Sequence, residues 1–326
     1  RSRGLGDVYK RQPSNTVKMV EISSDQAGQR LDNYLLTKLK GVPKSHVYRL
    51  LRSGQVRVNK GRKKPSYRIQ PGDSVRIPPV RTADPHEAVI PDSVLALLEN
   101  ARLFENNDIL VLNKPAGIAV HGGSELKFGI IEAIRQNYPD QFFELVHRLD
   151  RETSGCLVLA KNRTTLNALH QALRNEAQHE HLPRVEKTYL ALLAGLWQHG
   201  DKTIELPLRK IRRSGEHRVE VSDDGQQAIS HFKLVQHYRN ASLMQIKIDT
   251  GRTHQIRVHA AASGHAVAGD SKYGDAAFNK EMKRLGLQRL FLHASHIVLP
   301  LGEGLSVHAP LSEDLSQLLD NPGFRS

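Results

Sequence analysis

Charge divides this chain before any fold is considered. Between Arg30 and Arg81 it carries 14 Lys and Arg residues against two acids, Asp32 and Asp73, so that interval alone has a net charge of +12. The full 326 residues set 47 Lys and Arg against 34 Asp and Glu for a net +13, and everything outside the interval is therefore close to neutral in sum. The basicity belongs to one module and is not spread as a solubilising surface. A charge run by itself is more often a solvated face than a binding site, but a local footprint of this kind favours a nucleic-acid partner over a small molecule once other signals agree.

A hydrophobic fraction of 39% over this length supports a substantial core plus a second, smaller domain. Cys156 is the one cysteine, which excludes a disulfide framework or a cysteine-based zinc site within one chain and fits a reducing compartment. No stretch of 18 apolar residues is present, and the first residues lack the basic, apolar, small-residue order of a secretory signal; the expectation is a cytoplasmic protein with no membrane span. Residues 1–20 show little periodicity and read as a disordered tail or an upstream remnant preceding a start at Met19.

Within the basic module, Leu31, Leu35, Leu36 and Leu39 fall at helical spacing, and Pro43 to Ser53 offers a second helix carrying Val47, Leu50 and Leu51. After Gly54 the alternation Val56-Arg57-Val58-Asn59 reads as a strand, Lys60-Gly61 as a turn, and Gly72-Asp73 as a second turn before Val75-Arg76-Ile77. Arg30-Leu31-Asp32, the run from Leu50 to Asn59, and Gly72-Asp73-Ser74-Val75 together resemble the S4 RNA-binding domain. Lys44, Arg49, Arg52, Arg57, Lys60, Arg62, Lys63 and Lys64 cluster on and beside the second helix, where each can meet a phosphate and make binding fall steeply with salt. The expected boundaries are an S4-like domain over 21–81, a linker over 82–98 and a larger domain over 99–326.

In that larger domain Ile109 to Leu112, Cys156 to Ala160 and Glu186 to Leu193 read as buried strands, Leu166, Leu169 and Leu173 space a helix, and Leu243 to Ile248 marks a further strand running into Thr250-Gly251. Thr253 is placed to cap a helix from His254 that Gly264 closes, and Leu299 to Val307 reads as a hairpin around Gly302-Glu303-Gly304. Strands and helices intersperse without a regular strand, helix, strand repeat. The expected fold class is α+β, with a mixed, largely antiparallel sheet flanked by helices.

Two segments carry chemistry. His147-Arg148-Leu149-Asp150-Arg151-Glu152-Thr153-Ser154-Gly155 sets an acid among cations just before a tight turn, and Gly251-Arg252-Thr253-His254-Gln255-Ile256-Arg257 feeds a glycine turn into a helix start. Read alone, Asp150 is as well explained by an Asx-type turn as by catalysis. In combination the two segments resemble the signature motifs of the RluA-type pseudouridine synthases, and the S4-like module in front points to members acting on large-subunit ribosomal RNA.

The resemblance implies that a uracil is released from its ribose at N1, turned, and rejoined through C5 with loss of the C5 proton. On it Asp150 is the catalytic carboxylate, either as a nucleophile at the ribose C1′ or as a base on the sugar, and a carboxylate suits an oxocarbenium-like centre. Arg257 is expected to pair with Asp150 and orient it, Tyr189 to stack on the uracil and assist loss of the C5 proton, and Arg148 to enter the RNA stack where the base has left. Lys114-Pro115 and His121-Gly122-Gly123 resemble a block that supports the wall of the site. Glu152 is the nearest second acid and is weighed down as a catalyst. Cys156, within an apolar strand, reads as a buried small hydrophobe, and Trp197 as a core residue at the end of a strand.

No cofactor and no metal is expected: there is no phosphate-binding Gly-x-x-x-x-Gly-Lys-Ser/Thr loop and no His-Glu-x-x-His helix, and His179-Glu180-His181, His254 and His259 are assigned to surface and RNA contacts. The expected partner is large-subunit ribosomal RNA, free or in an assembly intermediate, met by a monomer. The readings from other classes are a noncatalytic S4-type assembly factor and an N-glycosidase that releases free uracil.

Overall fold

The structure, a computed structural model, describes residues 16–23, 26–39, 42–80, 90–122, 128–174, 183–213 and 216–325. The chain divides into two compact units, Arg1–Ala88 and Val89–Ser326.

In the first unit, strand β1 (Lys18–Glu21) leads to helices α1 (Leu31–Lys38) and α2 (Lys44–Arg52), then to strands β2 (Arg57–Val58) and β3 (Ser74–Ile77), which join β1 in an antiparallel sheet of order β1-β3-β2. The helical spacing holds: α1 buries Leu31, Tyr34 and Leu35, and α2 buries Val47, Leu50 and Leu51. These side chains meet Ile22, Val58, Ile69 and Val75 in one apolar cluster, each fully buried aliphatic contributing about 1.5–3 kcal/mol. The turn between β2 and β3 falls one residue earlier than the sequence suggests. Asn59 and Lys60 both lie at positive φ, 50° and 65°, with Val58 and Gly61 exchanging two 2.9 Å backbone hydrogen bonds around them, as a primed hairpin turn requires. Asn59 tolerates that conformation, and its side chain is held there by Asp73 at 2.7 Å and the Ser74 N–H at 2.8 Å.

The second unit opens with α3 (Asp92–Asn100), β4 (Arg102–Glu105), β5 (Ile109–Lys114), α4 (Ile130–Asn137), β6 (Glu144–Leu145), β7 (Ser154–Ala160) and α5 (Arg163–Arg174). It continues through β8 (Glu186–Ala194), β9 (Lys202–Glu205), β10 (Leu208–Arg213), β11 (Glu216–Val221), β12 (Ile229–Tyr238) and β13 (Ala241–Ile248). It closes with α6 (Gln255–Ala262), α7 (Ala276–Arg284), β14 (Leu292–Leu299), β15 (Leu305–His308) and α8 (Glu313–Asp320). Ten strands form one sheet with the path β4-β5-β7-β14-β8-β13-β12-β9, to which β15 adds beside β14 and β6 beside β7; β10 and β11 pair separately. Every described pairing in the large sheet is antiparallel except β7 with β14, so the fold is the expected α+β with a mixed, largely antiparallel sheet.

Strand alternation explains why these segments read as unbroken apolar runs. Leu110, Leu112, Leu157 and Leu159 face a cluster with Leu98 of α3, Ile134 of α4 and Ile256 of α6. Their neighbours Ile109, Val111, Cys156 and Val158 face Leu166 and Leu169 of α5, and Leu192 and Leu243 meet Met282 of α7 and Leu318 of α8. With helices on both faces, both side-chain sets must be apolar.

Three local expectations change. Within the interval 82–98, expected to be a linker, residues 82–89 lie outside the described residues, and from Asp92 the chain is helical. Thr253 does not cap α6. His254 takes the preceding position at φ 53° with no side-chain cap, and the side chain of buried Gln255 accepts hydrogen bonds from the Arg252 N–H at 3.0 Å and the Thr250 hydroxyl at 2.8 Å, tying the turn before the helix to its first residue. At the other end, Gly264 at φ 80° does close it. Trp197 is core but lies beyond β8, which stops at Ala194; its ring stacks on Phe232 at 5.5 Å.

Candidate active site

Asp150 sits in the loop between β6 and β7. Two features fix that loop. The Thr153 N–H donates to the Asp150 carbonyl at 3.1 Å, and the fully buried ammonium of Lys114 donates to the carbonyls of Pro115, Ile118 and Arg151 at 2.8, 2.8 and 3.0 Å. Burial pulls Lys114 down to about 7, offset in part by Glu152 and Asp150. Its three carbonyl acceptors match the three N–H bonds of the protonated form and favour it against that burial. Arg151 closes the brace, donating through Nε to the Gly117 carbonyl at 2.8 Å while its own carbonyl accepts the Gly117 N–H at 2.8 Å. The Lys114-Pro115 block thus supports the wall of the site as expected; Gly123 lies outside the described residues.

The Asp150 carboxylate, 30% exposed, faces a narrow cavity of about 80 Å³ lined by Tyr189, His254, Ile248, Ile256 and Leu292, with Arg148 at its edge. Arg148 and Tyr189, singled out from the sequence, therefore do meet Asp150. Arg148 is exposed, free to reach a polyanion. Tyr189 lies on β8 and is 7% exposed. Burial first, and the charge of Asp150 second, push its phenol well above the ordinary tyrosine value. It therefore presents a ring face and a protonated hydroxyl to the cavity.

Arg257 departs from expectation. Its Nε and Nη2 donate to the two carboxylate oxygens of Asp270, both at 2.7 Å, and the side chains are 7% and 0% exposed. The expected ion pair with Asp150 is not formed. Asp270 captures the guanidinium because it lies just beyond Gly269, buried beside α6, where its Oδ1 also accepts the N–H groups of Lys272 and Tyr273 at 2.8 and 3.0 Å. Burial pushes Asp270 up, but the Arg257 hydrogen bonds and charge outweigh it and hold the carboxyl below the usual range.

The basic nitrogen that pairs with Asp150 among the described residues is His254 Nε2, at 3.9 Å. His254 Nδ1 lies 2.8 Å from the Tyr273 hydroxyl, which accepts the Val219 N–H at 2.9 Å, and Arg257 lies over the Tyr273 ring at 5.1 Å. Burial lowers the His254 pKa despite the opposing pull of Asp150, which favours the neutral imidazole. A tautomer with its proton on Nε2 satisfies Tyr273 and points a donor toward Asp150. His254 was assigned from sequence to surface and RNA contacts; its side chain is only 14% exposed. Its position three residues before Arg257 within one helical turn was the available signal. Asp270 and Tyr273 had none, because they sit in a separate turn.

Glu152 is 49% exposed and lies 3.6 Å from Arg151, away from the cavity lining. Cys156 is buried, and burial raises its thiol to about 12. His179-Glu180-His181 falls outside the described residues. Among the described residues no group of three or more His, Cys, Asp and Glu side chains converges for a metal, and no helix is long and apolar enough to cross a membrane.

The basic module presents one sign of charge. Lys44, Arg49, Arg52, Arg57, Lys60, Arg62, Lys63 and Lys64 are all exposed, while its two acids are consumed internally. Asp32 accepts from Arg30 at 2.6 and 3.0 Å and from the Tyr48 hydroxyl at 3.0 Å. Asp73 accepts from Asn59, Tyr67 and the Gln70 N–H.

Two family models match this sequence. The model described as RNA pseudouridylate synthase covers residues 108–262, and that of the S4 domain covers 29–75. The chain belongs to the RNA pseudouridylate synthase family and carries an S4 domain ahead of the catalytic one. Within that family it is similar to the Ribosomal large subunit pseudouridine synthase C of Haemophilus influenzae, 51% identical over 313 residues spanning 94% of this chain and 95% of the relative. It is likewise similar to that of Escherichia coli, 48% identical and spanning 93% and 96%. Among solved structures, Human RNA Pseudouridylate Synthase Domain Containing 1 aligns with a TM-score of 0.53 at 27% identity, over 65% of this chain and 83% of that one. Human RNA Pseudouridylate Synthase Domain Containing 4 shares the fold with a TM-score of 0.59 at 23% identity, over 72% and 97%.

Proposed function

We propose that this enzyme isomerises uridines of large-subunit ribosomal RNA to pseudouridine, with Asp150 acting on the ribose. The carrying observation is the Asp150 carboxylate on a braced loop, facing a cavity walled by Tyr189 and His254 with the free guanidinium of Arg148 at the rim. The target nucleotide leaves its stack, and Arg148 fills the gap, offsetting part of an unstacking cost of a few kcal/mol. The N1–C1′ bond breaks with Asp150 as nucleophile at C1′ or as base on the sugar; the uracil turns against the Tyr189 ring, the C5–C1′ bond forms, and the C5 hydrogen leaves as a proton. Arg257, locked to Asp270, is a positioning residue for the His254 side of the cavity.

Residues 21–81 deliver the RNA through the eight exposed Lys and Arg side chains, and residues 99–326 convert it. The names of the relatives, each a large-subunit pseudouridine synthase, support large-subunit RNA as the substrate, and in this reading a cytoplasmic monomer acts on it, free or in an assembling particle.

Tritium release from C5-labelled uridine in unmodified large-subunit RNA tests this reading, with free uracil assayed in parallel. The intact protein releases tritium without uracil, and Asp150→Asn binds RNA but turns over on the order of 10⁴-fold more slowly. Undiminished turnover by Asp150→Asn removes it from the mechanism. Tight binding without release points to an assembly factor, and free uracil to a glycosidase.

A further inference from the structure

The cavity at Asp150 does not end at its own walls. A larger open cleft of about 440 Å³ is lined by Arg148, Asp150, Tyr189, Lys187, Lys210 and Arg252. A second cleft of about 370 Å³ is lined by Arg209, Lys210, Val219, Asp224, Gln226 and Arg252. The two share Lys210, Gly251, Arg252 and Thr253, so one trough runs from the reacting carboxylate to the β10–β11 hairpin.

The hairpin stands out by charge. Residues 82–326 hold 28 Lys and Arg against 29 Asp and Glu, a net −1, yet residues 208–221 hold five Lys and Arg against Glu216 and Glu220, a net +3. Its acids are engaged: Glu220 binds Arg209 at 2.8 Å, as does Asp224 just beyond the hairpin at 2.7 Å, and Glu216 lies 3.9 Å from Arg218. Lys210 is exposed and forms no ion pair or hydrogen bond among the described residues. Arg252 is exposed and donates through Nε to the Gln227 carbonyl at 3.0 Å, with no hydrogen bond from its terminal nitrogens among the described residues. Between them and Tyr189, the Lys187 ammonium lies against Gly251, where an added Cβ would stand 3.5 Å from its Nζ.

The hairpin is seated firmly. Leu208 and Val219 pack with Ala228 and Val258 of α6, and the Val219 N–H donates to Tyr273, itself bonded to His254. An arm that only solvated the surface would not need this link to the residue beside Asp150.

We propose that Lys210 and Arg252, with Lys187 behind them, hold the sugar-phosphate backbone of the RNA strand next to the flipped uridine, making the β10–β11 hairpin a second RNA-binding surface apart from the S4 domain. A cationic groove tracking one strand suits an unstacked segment, whose phosphates are accessible beside the extruded base. The assignment rests on the pseudouridine synthase reading.

The test uses the full chain and the tritium-release substrate, with RNA affinity measured between 50 and 200 mM salt. Each lost contact to a single strand lowers the slope of log affinity against log salt by about 0.7, so Lys210→Ala with Arg252→Ala lowers it by about 1.4 and raises KM roughly tenfold or more, with a smaller change in kcat. Lys280→Ala with Lys283→Ala, which removes two exposed cations from α7, leaves the slope and KM unchanged. An unaltered slope and KM in the Lys210 and Arg252 variant overturns the proposal, as does an equal shift in the α7 control. Release by the unsubstituted enzyme under the same conditions keeps that failure distinct from a failure of the catalytic reading.

Discussion

Arg257 binds Asp270 with two parallel hydrogen bonds in a place where neither side chain meets much solvent. Removing one partner of such a pair leaves the other buried and uncompensated, at a cost of about 3–5 kcal/mol. Arg257→Ala therefore loses about that much in denaturant unfolding, whereas a loss below about 1 kcal/mol, the value of an exposed pair, would show that Asp270 finds another partner. Asp150, Arg148 and Tyr189 were legible because each stands inside a dense local pattern. The partner of Arg257 was not, since a guanidinium binds the carboxylate whose position completes its fork, and Asp270 is brought there by a turn 13 residues on.

At the scale of elements, Gly155 sets how closely β7 approaches β14. It lies at φ 108°, opposite Ala294 in the parallel pairing of β7 with β14, and a Cβ there would stand 2.2 Å from the Ala294 carbonyl oxygen. Gly155→Ala must move one strand. Overpacking of about 1–3 kcal/mol adds to left-handed strain of about 1–2 kcal/mol, and thermal melting of the variant is lowered accordingly; a melt within a degree of the parent would refute this account. Strands β5, β7, β8 and β13 were legible from their apolar residues, and α1, α2 and α5 from helical spacing. The β10–β11 hairpin was not read, because Arg209, Lys210, Arg212, Arg218 and Glu220 supply polar side chains that obscure a period of two.

For the whole molecule, several histidines are held neutral. Burial, with Lys187 adding to it, lowers His147 to about 4, and burial leads the lowering of His254, His259 and His293. A folded value below the unfolded one of about 6.5 means that the unfolded chain takes up more protons on acidification. The stability tied to these groups is complete above about pH 6.5 and is lost as pH falls; for His147 the loss runs through about 4, at up to about 1.4 kcal/mol per pH unit. Unfolding midpoints should decline over that window, and His147→Gln should make the decline shallower. Equal slopes for parent and variant would mean that His147 does not carry it.

What the sequence settled by itself was short in range: the basic module and its S4 pattern, the interspersed strands and helices that make an α+β sheet, and the two motifs that mark Asp150. Periodicity, turn chemistry and charge spacing act between residues a few positions apart, and they survive in the linear order. Tertiary structure decided that Arg257 belongs to Asp270, that His254 stands beside Asp150, and that Lys187, Lys210 and Arg252 line one trough. Those outcomes depend on distances across β8, the β10–β11 hairpin and α6, where burial and competition for hydrogen-bond partners choose among many available charges.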